Sequence, residues 1–256
     1  MSLERIVDYL RRSEAAIVDD VRPVPHGTAL LTPSLPLVWQ LNAVRVEDLE
    51  APPDELLLVV EETLGHAGHR KLVVHDERAG ARLAPALADD GWNVYRLLVM
   101  VHDQPSERRA EPGLGAEVDR ATGARALAAF RREQPFGWQP EAVDQLHAMD
   151  ERYGRALHAR DFAAPPDDPA AACRLYTADG LAQIDEVGTL ERRRNRGYAS
   201  AAVLAAVETA VAERCDPIFL LTDAADWPQQ LYGRLGFSPV GLLYEFLKLP
   251  LSSGRR

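Results

Sequence analysis

Lysine is nearly missing from this chain. Of its 29 basic residues only Lys71 and Lys248 are lysines, and arginine supplies the rest. Together with abundant alanine, that bias reads as GC-rich codon usage rather than as function. Cysteine is as scarce: Cys173 and Cys215 are the two present. They have no metal or redox spacing, which points away from a disulfide framework and towards reduced thiols in the cytoplasm. Long apolar runs are lacking too, and no stretch approaches the ~20 residues that cross a bilayer. The opening MSLERIVDYLRRSEAAI is charged and amphipathic, without the apolar core of a signal peptide. Positive charge is in deficit: the net charge of −10 argues against a nucleic-acid partner. The seven histidines form no ligand pattern, and His66-Ala67-Gly68-His69 reads as a helix-ending loop, so no metal is expected. These absences leave a cytoplasmic globular protein of 256 residues, monomer or homodimer, with no membrane or nucleic-acid partner.

What is present is organised around Ile184–Arg214, which reads as a strand, an Arg/Gly loop and an Ala-rich helix. The loop holds Arg194-Asn195-Arg196-Gly197-Tyr198-Ala199, an R-x-x-G-x-A pattern, with Ser200 following. Gly197 permits a tight turn and close approach of the backbone to a ligand. The helix then directs its free N–H groups and positive dipole end at the loop. With Arg192, Arg193, Arg194 and Arg196 alongside, this is an anion site suited to a diphosphate.

A second motif follows a buried-looking strand, Pro217–Thr222. It is Leu231-Tyr232-Gly233-Arg234-Leu235-Gly236-Phe237, on a helix that Asp226 caps, Pro228 opens and Gly236 ends. Gly233 inside that helix costs ~1 kcal/mol relative to alanine and implies close approach of the backbone to something.

These coupled motifs resemble the GNAT superfamily of acyl-CoA-dependent N-acyltransferases. The resemblance spans about Ala116–Leu249 and is densest over Asp185–Phe246. It implies that Arg194, Asn195, Arg196, Gly197, Tyr198, Ala199 and Ser200 bind the pyrophosphate of acetyl-CoA. It implies further that the Val187 amide polarises the thioester carbonyl, that Thr189 holds the pantetheine arm through its backbone, and that Tyr232 is the acid on the leaving thiolate. Where the family often has an asparagine seven residues before this tyrosine, the chain has Ala225.

The rest of the chain is expected as helix Ser2–Val18, an extended Pro-punctuated stretch Pro23–Pro36, strand Leu37–Val46, helix Glu55–Leu64, strand Arg70–His75, helix Arg78–Asp89 and strand Trp92–Val101. That order recurs as strand Asp185–Leu190, helix Tyr198–Arg214, strand Pro217–Thr222, helix Trp227–Leu235 and strand Gly241–Leu249. KLVVHD matches IFLLTD in place, and ALADDGW matches LYGRLGF. The reading is therefore two GNAT-like units in tandem, an α+β fold with twisted mixed sheets flanked by helices. Residues 1–105 form the first unit and 106–256 the second, joined by the polar Asp103–Gly115. The first unit carries EDLEAPPDE at the loop position, with Glu47, Asp48, Glu50, Asp54 and Glu55 where a pyrophosphate would sit. Five carboxylates repel that anion, so the first unit is expected to bind no coenzyme A.

Acyl transfer to an amine needs a base, a polarised carbonyl and an acid for the leaving group. Glu186 is the candidate base. Its neighbour Asp185 is the other choice, and alternation along a strand lets at most one of them face the cleft. Phe136, Trp138, His147 and Tyr153 are candidates for the acceptor side. The expected activity is transfer of an acetyl group to a primary amine of a small molecule or peptide. The competing class is an acyl-CoA sensor without turnover.

Overall fold

The repeated order of elements is present in the structure. A computed structural model describes residues 2–249. The first half runs α1 (Ser2–Ile17), β1 (Asp20–Val24), β2 (Gly27–Leu31), β3 (Ala43–Val46), α2 (Pro53–Leu64), β4 (Arg70–Val74), α3 (Glu77–Asp89) and β5 (Asn93–His102). The second runs β6 (Ala116–Val118), α4 (Arg120–Arg132), α5 (Pro140–Ala156), β7 (His158–Ala164), β8 (Ala171–Ala178), β9 (Leu181–Thr189), α6 (Tyr198–Ala212), β10 (Ile218–Asp223), α7 (Pro228–Arg234) and β11 (Phe237–Lys248). Each half places an antiparallel run of strands before a parallel pair, β3–β4 in one and β9–β10 in the other. The fold is mixed α+β.

The chain divides into two compact units, and they exchange segments across the expected boundary at 105/106. One unit gathers residues 2–13, Val99–Thr222 and Asp226–Val240; the other gathers Glu14–Leu98, Asp223–Ala225 and residues 241–249. The last strand of the second repeat thus completes the sheet of the N-terminal unit. There β11 pairs antiparallel with β4, from Tyr244↔Val74 to Lys248↔Arg70.

In the N-terminal unit, α2 and α3 bury Leu56, Val60, Leu83 and Leu87 against Val44, Leu72, Val74 and Phe246. Two local expectations change. The extended Pro23–Pro36 stretch is a hairpin, β1–β2, whose turn carries His26 at φ 64°. Pro23 is tolerated because β1 is a sheet edge. Leu37–Val46 is a strand only from Ala43. Trp39–Leu41 winds into a single 3-10 turn. Buried Asn42 stabilises it by donating to the carbonyls of Leu35 and Val38 at 3.1 Å and accepting from the Thr32 amide at 2.8 Å.

In the C-terminal unit the strand order is β10-β9-β8-β7-β6. Helix α6 packs over β6 to β9. Its Ala201, Ala202, Ala206 and Ala210 are buried, and such small side chains let the helix axis lie close to the sheet. Helix α4 lies over β7, β8 and β9 and buries Ala126, Leu127 and Phe130. The turn between β8 and β9 is Asp179-Gly180, both at positive φ, as the D-G dipeptide predicts. Among the described residues no helix is long and apolar enough to cross a membrane.

Candidate functional site

Strand β9 sets the geometry of the site. Its parallel ladder with β10 stops at Gln183↔Phe219, so residues 185–189 continue without a β10 partner and the two strands part. On the other edge the pairing with β8 jumps from Asp185↔Arg174 to Gly188↔Ala172. Cys173 therefore faces two residues, Glu186 and Val187, which is a β-bulge with Glu186 at φ 54°. Beyond it, a Cβ on Gly188 would overlap the Phe130 ring, so only glycine lets α4 approach β9 here.

The parted strands open a cavity of about 750 Å³. Val187, Thr189, Arg194, Asn195, Arg196, Gly197, Tyr198, Ala199 and Ser200 all line it, and so does Tyr232. The loop turns through Asn195 at φ 62° and Gly197 at φ 79°, and Gly197 is the N-cap of α6. The first intrahelical donor is Ala201, which bonds the Gly197 carbonyl at 3.0 Å. The amides of 198–200 thus face the cavity at the positive end of a 15-residue helix. Arg193 is fixed by Asp168 at 3.0 Å, and its Nε is buried without a partner. Arg108 and Arg234 add cationic charge to the cavity wall. An orphaned guanidinium N–H, free amides and a left-handed glycine together make an anion cradle.

Behind the bulge lies a buried ion network. Arg131 Nη1 and Nη2 donate to Asp150 at 2.7 and 2.9 Å, and Nη2 also reaches Glu186 Oε2 at 2.9 Å. Arg174, fully buried, bonds Asp161 at 2.7 Å and contacts Asp150 at 3.3 Å. Glu186 is pushed up to about 7, chiefly by desolvation; Arg131 opposes this, while the charges of Asp185 and Asp150 add to it. Asp185 is raised for the same first reason, although its side chain opens to solvent; Gln183 donates to it at 3.2 Å. Neither of the two lines the cavity, and the strict alternation on which the choice between them rested is interrupted. The bulge breaks the alternation, and the Glu186 amide donates to Asp185 Oδ1 at 2.8 Å. Glu186 itself stands beside the cavity rather than in its lining.

Comparison with known proteins identifies the fold. The acetyltransferase (GNAT) family profile matches residues 124–237, from α4 to the first residue of β11. Over those residues the chain matches the GNAT acetyltransferase family. A GCN5-related N-acetyltransferase from Kribbella flavida has the same fold, with a TM-score of 0.61, 21% identity and coverage of 98% of this chain and 96% of its own. A conserved protein of unknown function from Staphylococcus epidermidis gives a TM-score of 0.72 at 16% identity, covering 92% and 96%. The full length also follows a tandem GNAT protein from the clavulanic acid biosynthesis pathway, with a TM-score of 0.54, 13% identity and coverage of 99% and 96%. No curated protein sequence matches. Members of the family typically use acetyl-CoA.

Within this GNAT fold the remaining candidates separate. Tyr232 is buried on α7, edge-on to Phe237 at 6.1 Å between ring centres; desolvation, with Cys173 and Asp185 nearby, raises its hydroxyl well above the usual range. Helix α7 starts one residue later than expected, because Asp226 takes the Trp227 amide at 2.7 Å and Trp227 occupies the cap position. Gly236, at φ 92°, ends it as read. A Cβ on Gly233 would meet no protein atom, so the close approach implied there is not made by the chain itself. Phe136, Trp138, His147 and Tyr153 do not line the cavity. Trp138 is 75% exposed, and Tyr153 packs on Tyr176 at 5.1 Å. Arg131 and Asp150 escaped the sequence reading because they sit on different helices, 19 residues apart. One signal was available: Arg131 follows Leu127 by four residues, on the apolar stripe of α4.

Proposed function

We propose that this protein is an N-acyltransferase that moves an acetyl group from acetyl-CoA to a primary amine of a small molecule or peptide. One observation carries the reading. The anion cradle at the start of α6, the parted edge of β9 and the Tyr232 side chain all line one cavity. Acetyl-CoA, when bound, supplies the acyl group already activated as a thioester. The residues present fit it. The amides of 198–200 and the Arg193 Nε would hold the diphosphate, and Thr189 the pantetheine arm.

In this reading the Val187 amide donates to the carbonyl oxygen as negative charge builds there. Glu186, poised near neutrality, takes a proton from the acceptor nitrogen. Tyr232 keeps its proton over the working pH range and gives it to the leaving sulfur. The N-terminal unit is the degenerate copy. At its corresponding junction Pro52 and Pro53 have no N–H to offer, and Asp54 and Glu55 occupy the first turn of α2.

Calorimetric titration with acetyl-CoA tests the reading, followed by a panel of amines with thiol release as the signal. One site per chain and turnover on an amine are expected. Two sites would overturn the degenerate copy. Binding without turnover on any amine class would favour a sensor, and no binding would overturn the cradle.

A further inference from the structure

We infer that Arg131 is a positioning residue for the base: clamped by Asp150, it holds the Glu186 carboxylate on the bulge of β9. The inference rests on the reading of Glu186 as the base and adds a partner that no local motif marks. A non-glycine residue in the left-handed region is strained, and such strain persists only where the surroundings over-determine it. Glu186, at φ 54°, needs such a restraint.

The donor geometry provides it. The Asp150 carboxylate takes one N–H from each of Nη1 and Nη2, which fixes the plane of the guanidinium. The same Nη2 lies 2.9 Å from Glu186 Oε2 and forms an ion pair with it. Arg131 and Asp150 are almost wholly buried, so neither can swing out to water. Three elements thus meet in one clamp: α4 gives Arg131, α5 gives Asp150, and β9 gives Glu186. Other charged or titratable groups face the same pocket of charge. Asp185 is adjacent on β9, Arg174 and Cys173 lie on β8, and Tyr176 and Tyr232 face Asp185. Of the groups acting directly on Glu186, Asp185 and Asp150 disfavour its ionised form, and Arg131 favours it. Arg131 therefore sets both where the carboxylate sits and the pH at which it accepts a proton.

The test is a pH titration of the protein labelled with carbon-13 at the glutamate carboxyl, with the Glu186 signal assigned by its loss in Glu186→Gln. Wild type should give a midpoint near 7. Arg131→Met should move it upward by about one pH unit or more, the usual effect of removing an opposite charge at contact distance. Asp150→Asn should move it downward, because a like charge is lost. Arg131→Lys, which keeps the charge, should restore most of the wild-type midpoint. A buried charge left unpaired can unfold the chain, so the double variant Arg131→Met/Asp150→Asn removes both partners together. It too should move the midpoint upward, with acetyl-CoA binding retained.

A midpoint unmoved in the folded double variant would overturn the clamp, whatever the turnover. Midpoints that move as stated, with normal turnover of Glu186→Gln, would uphold the clamp and overturn the base.

Discussion

Two strand–loop–helix junctions occupy the same place in the two repeats, and they differ in nearly every chemical respect. Between β9 and α6 the chain turns through left-handed Asn195 and Gly197 and presents free amides with arginines around them. Between β3 and α2 it passes Asp48, Glu50, Pro52 and Pro53 and presents carboxylates. Those carboxylates have partners. Asp48 and Glu55 both bond the imidazole of His26, at 2.9 and 2.6 Å, and Glu47 takes Arg45 and Thr28. Arg82 ties the carbonyls of Leu49 and Ala51. At this junction the hydrogen bonds of one copy are spent on itself, where the other copy leaves them open. The topology of a helix N-terminus is common to both; the local sequence alone distinguishes the junction proposed as a ligand site.

The comparison breaks most directly at Gly197. Gly197→Asp should weaken acetyl-CoA binding at least about 100-fold. A side chain at φ 79° costs about 1–2 kcal/mol, and the added carboxylate faces the diphosphate. No protein atom lies within 4 Å of the new Cβ, so the fold should survive and the loss should appear in calorimetry alone. Unaltered affinity would mean that the two junctions do not differ in the way described.

The next effects concern the chemistry proposed for the second repeat. Glu186→Gln should lower turnover about 10³-fold while acetyl-CoA binding stays within a few-fold. In wild type, kcat/KM should fall as the pH drops below about 7, because protonated Glu186 cannot accept a proton, and the variant should lack that limb. Stability should follow the same group with its own sign. A carboxyl whose folded value is raised contributes stability that is complete below the ordinary value near 4.5 and is lost as pH rises through about 7. Glu186→Gln should therefore melt above wild type at pH 8 and level with it at pH 4. Tyr232→Phe should cost less, about 100-fold in turnover with binding retained. Unchanged turnover in that variant would remove the tyrosine from the reaction.

How much of this could be read in the sequence depends on whether the atoms concerned are neighbours along the chain. The cradle could: its glycine, arginines and helix lie within some twenty residues, and Gly197, Arg193, Arg194 and Arg196 line one cavity with the start of the helix, while Arg192 does not. The exchanged strands could not, because nothing in Asn93–His102 or Phe237–Lys248 states which neighbour each will pair with. The bulge was hidden for another reason. Glutamate at positive φ has no compositional mark, and only the register jump from Arg174 to Ala172 shows why Asp185 and Glu186 do not alternate. The Arg131–Asp150–Arg174–Asp161 network looks like ordinary helix and strand charge until α4, α5, β7 and β8 are packed together. The β1–β2 hairpin was concealed by Pro23 and by a histidine doing the work of a turn glycine.

That histidine gives the smallest expected effect and the sharpest control on the comparison. His26 is raised above its ordinary value first by its hydrogen bonds to Asp48 and Glu55. Its contribution to stability is then present in full below about pH 6.5 and is lost as pH rises through the higher folded value. His26→Asn is the informative change, because asparagine tolerates the left-handed turn and removes only the charge and the second hydrogen bond. The variant should melt a little below wild type at pH 6, and the gap should narrow by pH 9. Its affinity for acetyl-CoA should be unchanged, since the N-terminal junction satisfies its own carboxylates and takes no part in the anion cradle. A fall in affinity would show that the first repeat contributes to cofactor binding after all, and the contrast between the two junctions would then be one of degree.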